Sequence, residues 1–258
     1  TFIEADINNL PSISGDIEAI YNLACPASPP RYQIDPIFTL KTNFTGTLNL
    51  LELARKKSSI FIQASTSEVY GDPLENPQNE TYKGNVNTLG PRACYDEGKR
   101  VAETLCYEYR SIYNLNTRIV RIFNTYGKYM DPDDGRVISN FLVNVIRQKP
   151  LEIYGDGSQT RSFCYIDDLV DALIKVKKID FDYPINIGND TEISLNKLID
   201  LMKDRFGNLD IKFLDSLKDD PRIRRPDISK AKRILKWEPK IELDRGIDLT
   251  YNYFKKLL

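Results

Sequence analysis

The chain has 258 residues, of which 41% are hydrophobic and 28% are charged, with 36 basic and 37 acidic side chains. This length supports a full hydrophobic core, and the net charge of −1 argues against a nucleic-acid binder that neutralises many phosphates. Histidine is absent, which excludes Ser-His-Asp, Cys-His and His-ligated metal chemistry. No apolar run approaches the roughly 18 residues of a membrane span, and no signal-peptide pattern is present. We expect a cytoplasmic protein, with the Golgi lumen as the alternative if a preceding segment carries an anchor.

The cysteines also limit the chemistry. They form no CxxC pair, and they stand in apolar or helical contexts. We therefore expect reduced, packed thiols rather than zinc ligands or disulfides, and no metal site. The four residues are Cys25, Cys94, Cys106 and Cys164.

The first two thirds of the chain alternate between strand and helix patterns. Short apolar runs predict buried strands over 19–24, 60–65 and 118–123. Helices are predicted over about 36–57 and 91–113. Because strand, crossover helix and parallel strand repeat in this way, the sequence predicts a doubly wound α/β sheet. The first helix carries an apolar stripe of Ile37, Leu40, Phe44, Leu48 and Leu51.

After about residue 130 the pattern becomes mixed. A helix is predicted over 137–147, a strand over 151–154 and an extended segment over 161–166. Ser194 is a predicted N-cap, and Gly207 a predicted end, of another helix. That helix has an apolar face of Leu195, Leu198, Ile199, Met202 and Phe206, and the last helix carries Ile247, Tyr251, Phe254 and Leu258.

These patterns predict two interleaved domains. Residues 1–130, with parts of 131–190, form the sheet domain, and residues 131–258 form a smaller mixed α/β lobe. Ligands of doubly wound sheets bind outside the carboxyl ends of the strands. The polar segments 25–32, 65–71 and 124–136 all follow predicted strands, so we expect them to meet in one cleft.

Tyr95 and Lys99 lie four residues apart near the start of the second long helix, on the same helical face. A lysine cation nearby lowers the pKa of a tyrosine and makes it a usable proton acceptor. Taken alone, a tyrosine and a lysine at this spacing are more often surface or half-buried residues without a catalytic role. The segment 65–71 is rich in hydroxyl groups and contains the carboxylate of Glu68. It is either a loop whose hydroxyls cap backbone groups or a part of an active site that contacts the substrate.

Three loop arginines, Arg136, Arg161 and Arg224, would suit a diphosphate or a carboxylate if they converge on the cleft. Gly155-Asp-Gly157 is not a dinucleotide fingerprint, because Thr160 stands where the third glycine would be. No Walker A motif is present either.

The chain resembles the extended short-chain dehydrogenase/reductase superfamily, and most closely its UDP-glucuronate decarboxylase family. The resemblance covers essentially the whole chain. The YxxxK pair is common to the superfamily, whereas the longer strings are specific to the decarboxylases. These strings are LACPASPP (23–30), STSEVYGDP (65–73), GPRACYDEGKR (90–100), RIFNTYG (121–127) and DGRVISNF (134–141).

The resemblance implies NAD-dependent conversion of UDP-glucuronate to UDP-xylose through a transient 4-ketone. It implies that Tyr95 is the catalytic base and that Lys99 lowers its pKa and holds the cofactor ribose. It places Thr66 and Ser67 near the sugar, with Glu68 and Arg224 at the centre of decarboxylation. The implied NAD-binding residues, beside Tyr95 and Lys99, are Asp6, Ile7, Leu23, Ala24, Cys25, Thr42, Ala64, Thr125 and Arg136. The implied substrate-binding residues are Pro29, Arg31, Tyr32, Asn124, Arg136, Tyr154, Gln159, Arg161 and Arg224.

One departure from the family is large. The family begins with a Gly-rich strand–turn–helix that cradles the NAD pyrophosphate, and no segment here matches it. The chain starts at what corresponds to the third strand, so we expect a doubly wound sheet that lacks its first βα units and belongs to a truncated chain.

Two alternatives remain open. The first is another sugar-nucleotide enzyme, a 4,6-dehydratase or a 4-epimerase. The dehydratase is disfavoured, because Ser67-Glu68 stands where such enzymes carry an Asp-Glu pair. The second alternative is a non-catalytic paralogue that binds a sugar nucleotide. The family further implies a homodimer that joins through the helices over 36–57 and 91–113.

Overall fold

The computed structural model describes residues 1–216 and 219–258. Its central sheet has four parallel strands, and the order across the sheet is β1, β2, β3, β8. The parallel sheet confirms the predicted doubly wound α/β class. The strands are β1 (Ala19–Asn22), β2 (Ile60–Thr66), β3 (Thr117–Ile122) and β8 (Ile185–Ile187).

Both faces of the sheet are buried, because successive side chains of a strand point to opposite faces. Phe61 and Ile119 pack on one face against two helices, whereas Ile62 and Val120 pack on the other face. The first face is covered by α3 (Thr47–Lys57) and α4 (Ala93–Tyr113), and the second by α6 (Ile166–Lys178) and α8 (Ser229–Leu235).

The first predicted helix is three consecutive helical pieces. The Asp35 side chain caps its start by accepting from the Phe38 N–H at 2.8 Å. The pieces are α2 (Pro36–Lys41), a π turn (Thr42–Gly46) and α3.

The apolar stripe of this helix is not one continuous buried face. Leu51 is fully buried, but Ile37, Leu40 and Phe44 are exposed. A π turn adds one residue to a turn and so rotates the faces on either side by about 100°. The apolar residues of α2 therefore face away from the sheet.

The second lobe has its own core. Phe141, Leu142, Leu198, Met202 and Phe254 are all buried in one cluster. The lobe contains α5 (Val137–Ile146), β5 (Leu151–Tyr154), α7 (Leu195–Phe206), β10 (Ile211–Leu214) and α9 (Leu243–Leu257). Strands β5 and β10 pair in parallel.

The helix α7 begins and ends as the sequence predicts. The Ser194 hydroxyl accepts from the Lys197 N–H at 3.2 Å, and Gly207 ends the helix with a positive φ of 87°. Leu195, Leu198, Ile199 and Met202 are buried as expected.

Four short strands and one short helix complete the elements near the cleft. They are α1 (Pro29–Tyr32), β4 (Thr125–Tyr126) paired in parallel with β7 (Cys164–Tyr165), and β6 (Thr160–Ser162) paired antiparallel with β9 (Glu192–Ser194).

The four cysteines are free thiols, and all except the half-buried Cys25 are buried. Within residues 1–216 and 219–258, none of the helices combines the length and the apolarity that a bilayer span requires.

Candidate active site

A cavity of about 540 Å³, here called the central cavity, lies at the carboxyl ends of β2 and β3. The three polar segments that follow predicted strands all contribute to it, as the topology rule for such sheets predicts. The residues of these segments that line it include Cys25, Pro29, Tyr32, Ser65, Thr66, Ser67, Glu68, Asn124, Thr125 and Arg136.

Tyr95 and Lys99 both lie in the first turns of α4 and line the central cavity. The Lys99 ammonium lies 5.7 Å from the centroid of the Tyr95 ring, and it donates to the Ala64 carbonyl at 3.0 Å. The Tyr95 ring stacks on Tyr32, with centroids 4.9 Å apart and planes within 4°. The phenol and the ammonium are therefore held on one wall of the cavity.

The Tyr95 phenol is protonated at neutral pH in this ligand-free cavity. Burial, the largest influence, raises its pKa, whereas the Thr66 hydroxyl and the charge of Arg136 lower it. Burial also lowers the pKa of Lys99. Arg136 is thus one cation that lowers this pKa, and the effect expected of Lys99 stays a prediction.

Glu68 lies at the first turn after β2, where its N–H donates to the Thr66 hydroxyl at 3.2 Å. Its carboxylate is bound by two guanidinium groups. Arg224 contacts it with Nη1 at 2.6 Å from Oε1 and Nη2 at 2.9 Å from Oε2, and Arg92 Nη2 donates to Oε2. Burial opposes ionisation, but Arg224 and Arg92 outweigh it and hold the pKa of Glu68 at about 2. Glu68 is therefore an ionised carboxylate.

Arg92 and Asp220 extend this ion-pair network. Arg92 Nη1 lies 3.5 Å from Asp220 Oδ1, and Arg161 Nη2 lies 2.7 Å from Asp220 Oδ2. Neither Arg92 nor Asp220 stands out in the sequence by charge or spacing. The available signal was the position of Arg92 one helical turn before Tyr95, inside the string GPRACYDEGKR.

The remaining polar residues of the cleft lie toward the second lobe. Arg136 is paired with Asp134, with Nη2 3.1 Å from Oδ1. The Gln159 amide donates to the Tyr154 carbonyl at 2.6 Å, and Arg224 Nη1 lies 3.4 Å from Asn124 Oδ1. The central cavity is thus shared between the sheet and the smaller lobe.

The central cavity is positively charged although the chain as a whole is not. Its walls, as far as the described residues form them, carry twice as many cationic as acidic side chains. A positive, partly enclosed site favours polyanionic ligands. The cationic residues are Arg92, Lys99, Lys128, Arg136, Arg161 and Arg224, and the acidic ones are Glu68, Glu152 and Asp220.

Five of the expected site residues do not line the central cavity. The Asp6 side chain caps a short turn by accepting from the Asn8 N–H at 2.9 Å, and Ile7 lies in that turn. Asn8 in turn lies 3.4 Å from the hydroxyl of Thr42. Ala24 lies beside the cleft, and Arg31 pairs with Asp131 at 2.7 Å on the surface. Leu23 and Ala64, by contrast, do line the cavity.

Of the residues that the structure describes, no three His, Cys, Asp or Glu side chains are arranged to hold a metal ion.

The curated relatives compared with this chain share one description, UDP-glucuronic acid decarboxylase. The family model for GDP-mannose 4,6 dehydratase matches residues 1–250. The chain is 50% identical over 241 residues to UDP-glucuronic acid decarboxylase 3 of Arabidopsis thaliana, covering 93% of this chain and 70% of the relative. It is 49% identical over 244 residues to UDP-glucuronic acid decarboxylase 1 of Danio rerio, covering 94% of this chain and 58% of the relative.

A solved structure of similar fold is UDP-glucuronic acid 4-epimerase of Bacillus cereus, in complex with UDP-glucuronic acid and NAD. Its TM-score is 0.83 at 30% identity, and the match covers 94% of this chain and 76% of that chain. The curated relatives are longer than this chain, which spans 54% of one of them and 71% of another.

The long family-specific strings, the parallel sheet and the relatives at about half identity agree with one another. The chain belongs to the UDP-glucuronic acid decarboxylase family, within the extended short-chain dehydrogenase/reductase superfamily.

Proposed function

We propose that this chain carries the centre for NAD-dependent decarboxylation of UDP-glucuronate to UDP-xylose. The observation that carries the proposal is that Tyr95, Lys99, Glu68 and Arg224 line one cavity. A proton acceptor and a pair of carboxylate-binding guanidinium groups are thereby brought together beside space for a sugar. The names of the relatives at about 50% identity support the same activity.

The cavity residues fit the nicotinamide and ribose of a cofactor, whereas no segment of this sequence matches the Gly-rich turn that holds the pyrophosphate in the family. Lys99 is buried with one backbone carbonyl as its acceptor, so its ammonium keeps donors for ribose hydroxyls. Leu23 and Ala64 offer apolar surface to a flat ring, and Thr125 lines the same side. Bound NAD would supply a reversible hydride acceptor for C4 and a positive charge that favours the Tyr95 phenolate.

Tyr95 would take the proton from the O4 hydroxyl and return it at the end of the reaction. Oxidation at C4 creates a ketone β to the C6 carboxylate. The electron pair of the breaking C5–C6 bond then enters an enolate rather than a bare carbanion. Thr66 and Ser67 would donate or accept hydrogen bonds at the sugar, because their hydroxyls line this part of the cavity.

Arg224 and Arg92 would recognise the substrate carboxylate. Guanidinium groups bind carboxylates in bidentate fashion, as Arg224 binds Glu68 here. An incoming glucuronate would compete with Glu68 for these two cations. Arg136, Arg161 and Gln159 would face the diphosphate and uridine, in keeping with the positive charge of the cavity.

Substitution of Tyr95 by phenylalanine tests this function. Incubated with NAD and UDP-glucuronate, the wild-type protein should release CO₂ and form UDP-xylose. Tyr95→Phe should lower the rate by at least about 100-fold, because the proton acceptor is lost while the ring that stacks on Tyr32 remains. Binding of UDP, measured by calorimetry, should stay nearly unchanged.

Tyr183→Phe is the matched control, because this tyrosine is 74% exposed and outside the central cavity. Formation of UDP-galacturonate instead of UDP-xylose would identify a 4-epimerase. Binding of UDP without any turnover in the presence of NAD would identify a non-catalytic paralogue. Full activity of Tyr95→Phe would refute the assignment of the base.

We further propose that the chain forms a homodimer through α2 and α4. These helices pack against each other, and they expose apolar side chains that no described residue covers. Exposed apolar side chains on neighbouring helices favour a protein–protein interface. The exposed residues are Ile37, Phe38, Leu40, Phe44, Tyr107 and Ile112.

A further inference from the structure

A second cavity, here called the polar cavity, adjoins the central cavity and has a volume of about 1080 Å³. The two cavities share four lining residues, which are Arg92, Tyr154, Gln159 and Asp220. Glu68 lines only the central cavity, whereas Asp96 lines only the polar cavity. Arg92 therefore borders both cavities, and Glu68 and Asp96 belong to different ones.

Asp96 has few partners in this position. It lies in the first turn of α4, and only 6% of the residue is exposed. Among the described residues, its Oδ1 has no hydrogen-bond partner. Arg92, the N-cap residue of α4, directs Nη2 to Glu68 and Nη1 to Asp220. An ionised carboxylate would be poorly stabilised in such a place, whereas a protonated one is tolerated.

Burial and the neighbouring carboxylate of Glu68 also favour the protonated form of Asp96. Burial is the largest influence on Asp96, and together with the negative charge of Glu68 it raises the pKa to about 8. Arg92 and Arg224 lower this pKa, but they are already paired with Glu68. The titratable and charged groups that face Asp96 are Glu68, Glu97, Arg92, Arg224, Tyr32 and Cys94.

Decarboxylation needs a proton source that the groups above do not provide. The C5–C6 bond breaks, CO₂ leaves, and a new C5–H bond must form, so each turnover consumes one proton. The Tyr95 proton returns to O4, and the paired carboxylate of Glu68 carries no proton to give. The proton must therefore come from a group that exchanges with water.

We propose that Asp96 stores the proton that ends on C5, and that the polar cavity is the route by which it is replenished from solvent. The inference rests on the proposed decarboxylation. The Asp96 O–H bond breaks, and its proton passes through water at the junction of the two cavities to C5 of the enolate. The carboxylate left behind takes a new proton from water in the polar cavity. Asp96 acts through water and is thus a positioning residue rather than a group that touches substrate.

An infrared titration tests proton storage without any need for turnover. The carbonyl band of a protonated carboxyl group is recorded for the ligand-free protein between pH 5 and pH 10. The wild type should show a band that disappears with a midpoint near pH 8, and Asp96→Asn should lack it. Glu97→Gln, the next residue on α4, is the matched control and should keep the band. Absence of such a band in the wild type, or its persistence in Asp96→Asn, would overturn the proposal.

A pH profile of the holoenzyme tests proton delivery. Wild-type kcat should fall above about pH 8, whereas Asp96→Asn should lose about 10- to 100-fold in kcat, keep its KM and lose that pH dependence. Asp96→Glu should restore part of the rate, because it again carries a titratable acid. An unchanged kcat and pH profile in Asp96→Asn would overturn the role of Asp96 while decarboxylation stands. If the wild-type holoenzyme releases no CO₂, the proposed function itself fails. The infrared titration needs no turnover, so it still shows whether Asp96 holds a proton in that case.

Discussion

At the residue scale, the central feature is one carboxylate held by two guanidinium groups. Glu68 is 8% exposed, and it is bound by Arg92 and Arg224. Removal of one partner from a buried ion pair leaves the remaining charge without compensation. The loss of stability is then larger than the net stabilisation that the intact pair gives. The three residues therefore contribute to stability as a unit as well as to the site.

The pKa of Glu68 predicts how stability depends on pH. Its folded pKa, about 2, lies below the value of about 4.5 for a free side chain, so its contribution is present above pH 4.5 and is lost as pH falls toward 2. Glu68→Gln should lower the free energy of unfolding by about 3 kcal/mol at pH 7 and by much less at pH 3. Urea denaturation at the two pH values measures this.

The exposed Glu108→Gln on α4 is the control for that measurement, and it should change the free energy of unfolding little at either pH. An equal loss of stability at pH 7 and pH 3 for Glu68→Gln would contradict the linkage, because it would show that packing and not charge is lost.

At the element scale, α2 shows how local geometry redirects a sequence pattern. The π turn after Lys41 rotates the apolar side chains of α2 away from the sheet. On the inward side, Thr39 and Asn43 take their place. The Thr39 hydroxyl donates to the Tyr32 carbonyl at 3.0 Å, and the Asn43 amide donates to the Thr39 carbonyl at 3.0 Å. The outward apolar surface is the one that we propose as the dimer interface.

Ile37 offers the sharpest test of the proposed dimer, because it is 68% exposed on α2. Ile37→Glu should raise the dimer dissociation constant by at least about 100-fold, because a carboxylate would be buried without a partner. Analytical ultracentrifugation measures this. Leu74→Glu changes an 83% exposed leucine outside the helices and should leave the dimer intact. A wild type that is monomeric at all concentrations would contradict the proposal.

At the scale of the whole molecule, the central cavity is lined by residues of both the sheet side and the smaller lobe. Thr66 and Tyr95 come from the sheet side, whereas Tyr154 and Arg161 come from the smaller lobe. A ligand that contacts both sides stabilises the folded chain by its binding free energy.

UDP should therefore raise the melting temperature. At a concentration 100 times its Kd, it adds about 2.7 kcal/mol, which corresponds to a rise of about 5–10 °C for a chain of this size. Differential scanning calorimetry measures the shift. Inorganic phosphate at equal ionic strength is the control and should give a smaller shift. An equal shift with phosphate would show that the cavity binds any anion and does not recognise the nucleotide.

Much of the fold follows from local patterns. The strands β1 to β3, α4, α5 and the capped helix α7 were predicted near their observed bounds, because their apolar periodicity and capping residues are local in sequence. The strand β8 was not predicted, since it is only three residues long and its pairing with β3 depends on residues distant in sequence. The helices α6 and α8 were not predicted either.

The sequence by itself determined the family, the parallel α/β class and the pair Tyr95–Lys99, because long strings and helical spacing are local properties. Only the tertiary structure decided that Arg92 and Asp220 join Glu68 and Arg224 in one ion-pair network. It also decided that Asp96 stands on the other side of Arg92, at a separate cavity. The physical reason is that burial and charge pairing, which set the protonation of these carboxyl groups, arise from segments far apart in the chain.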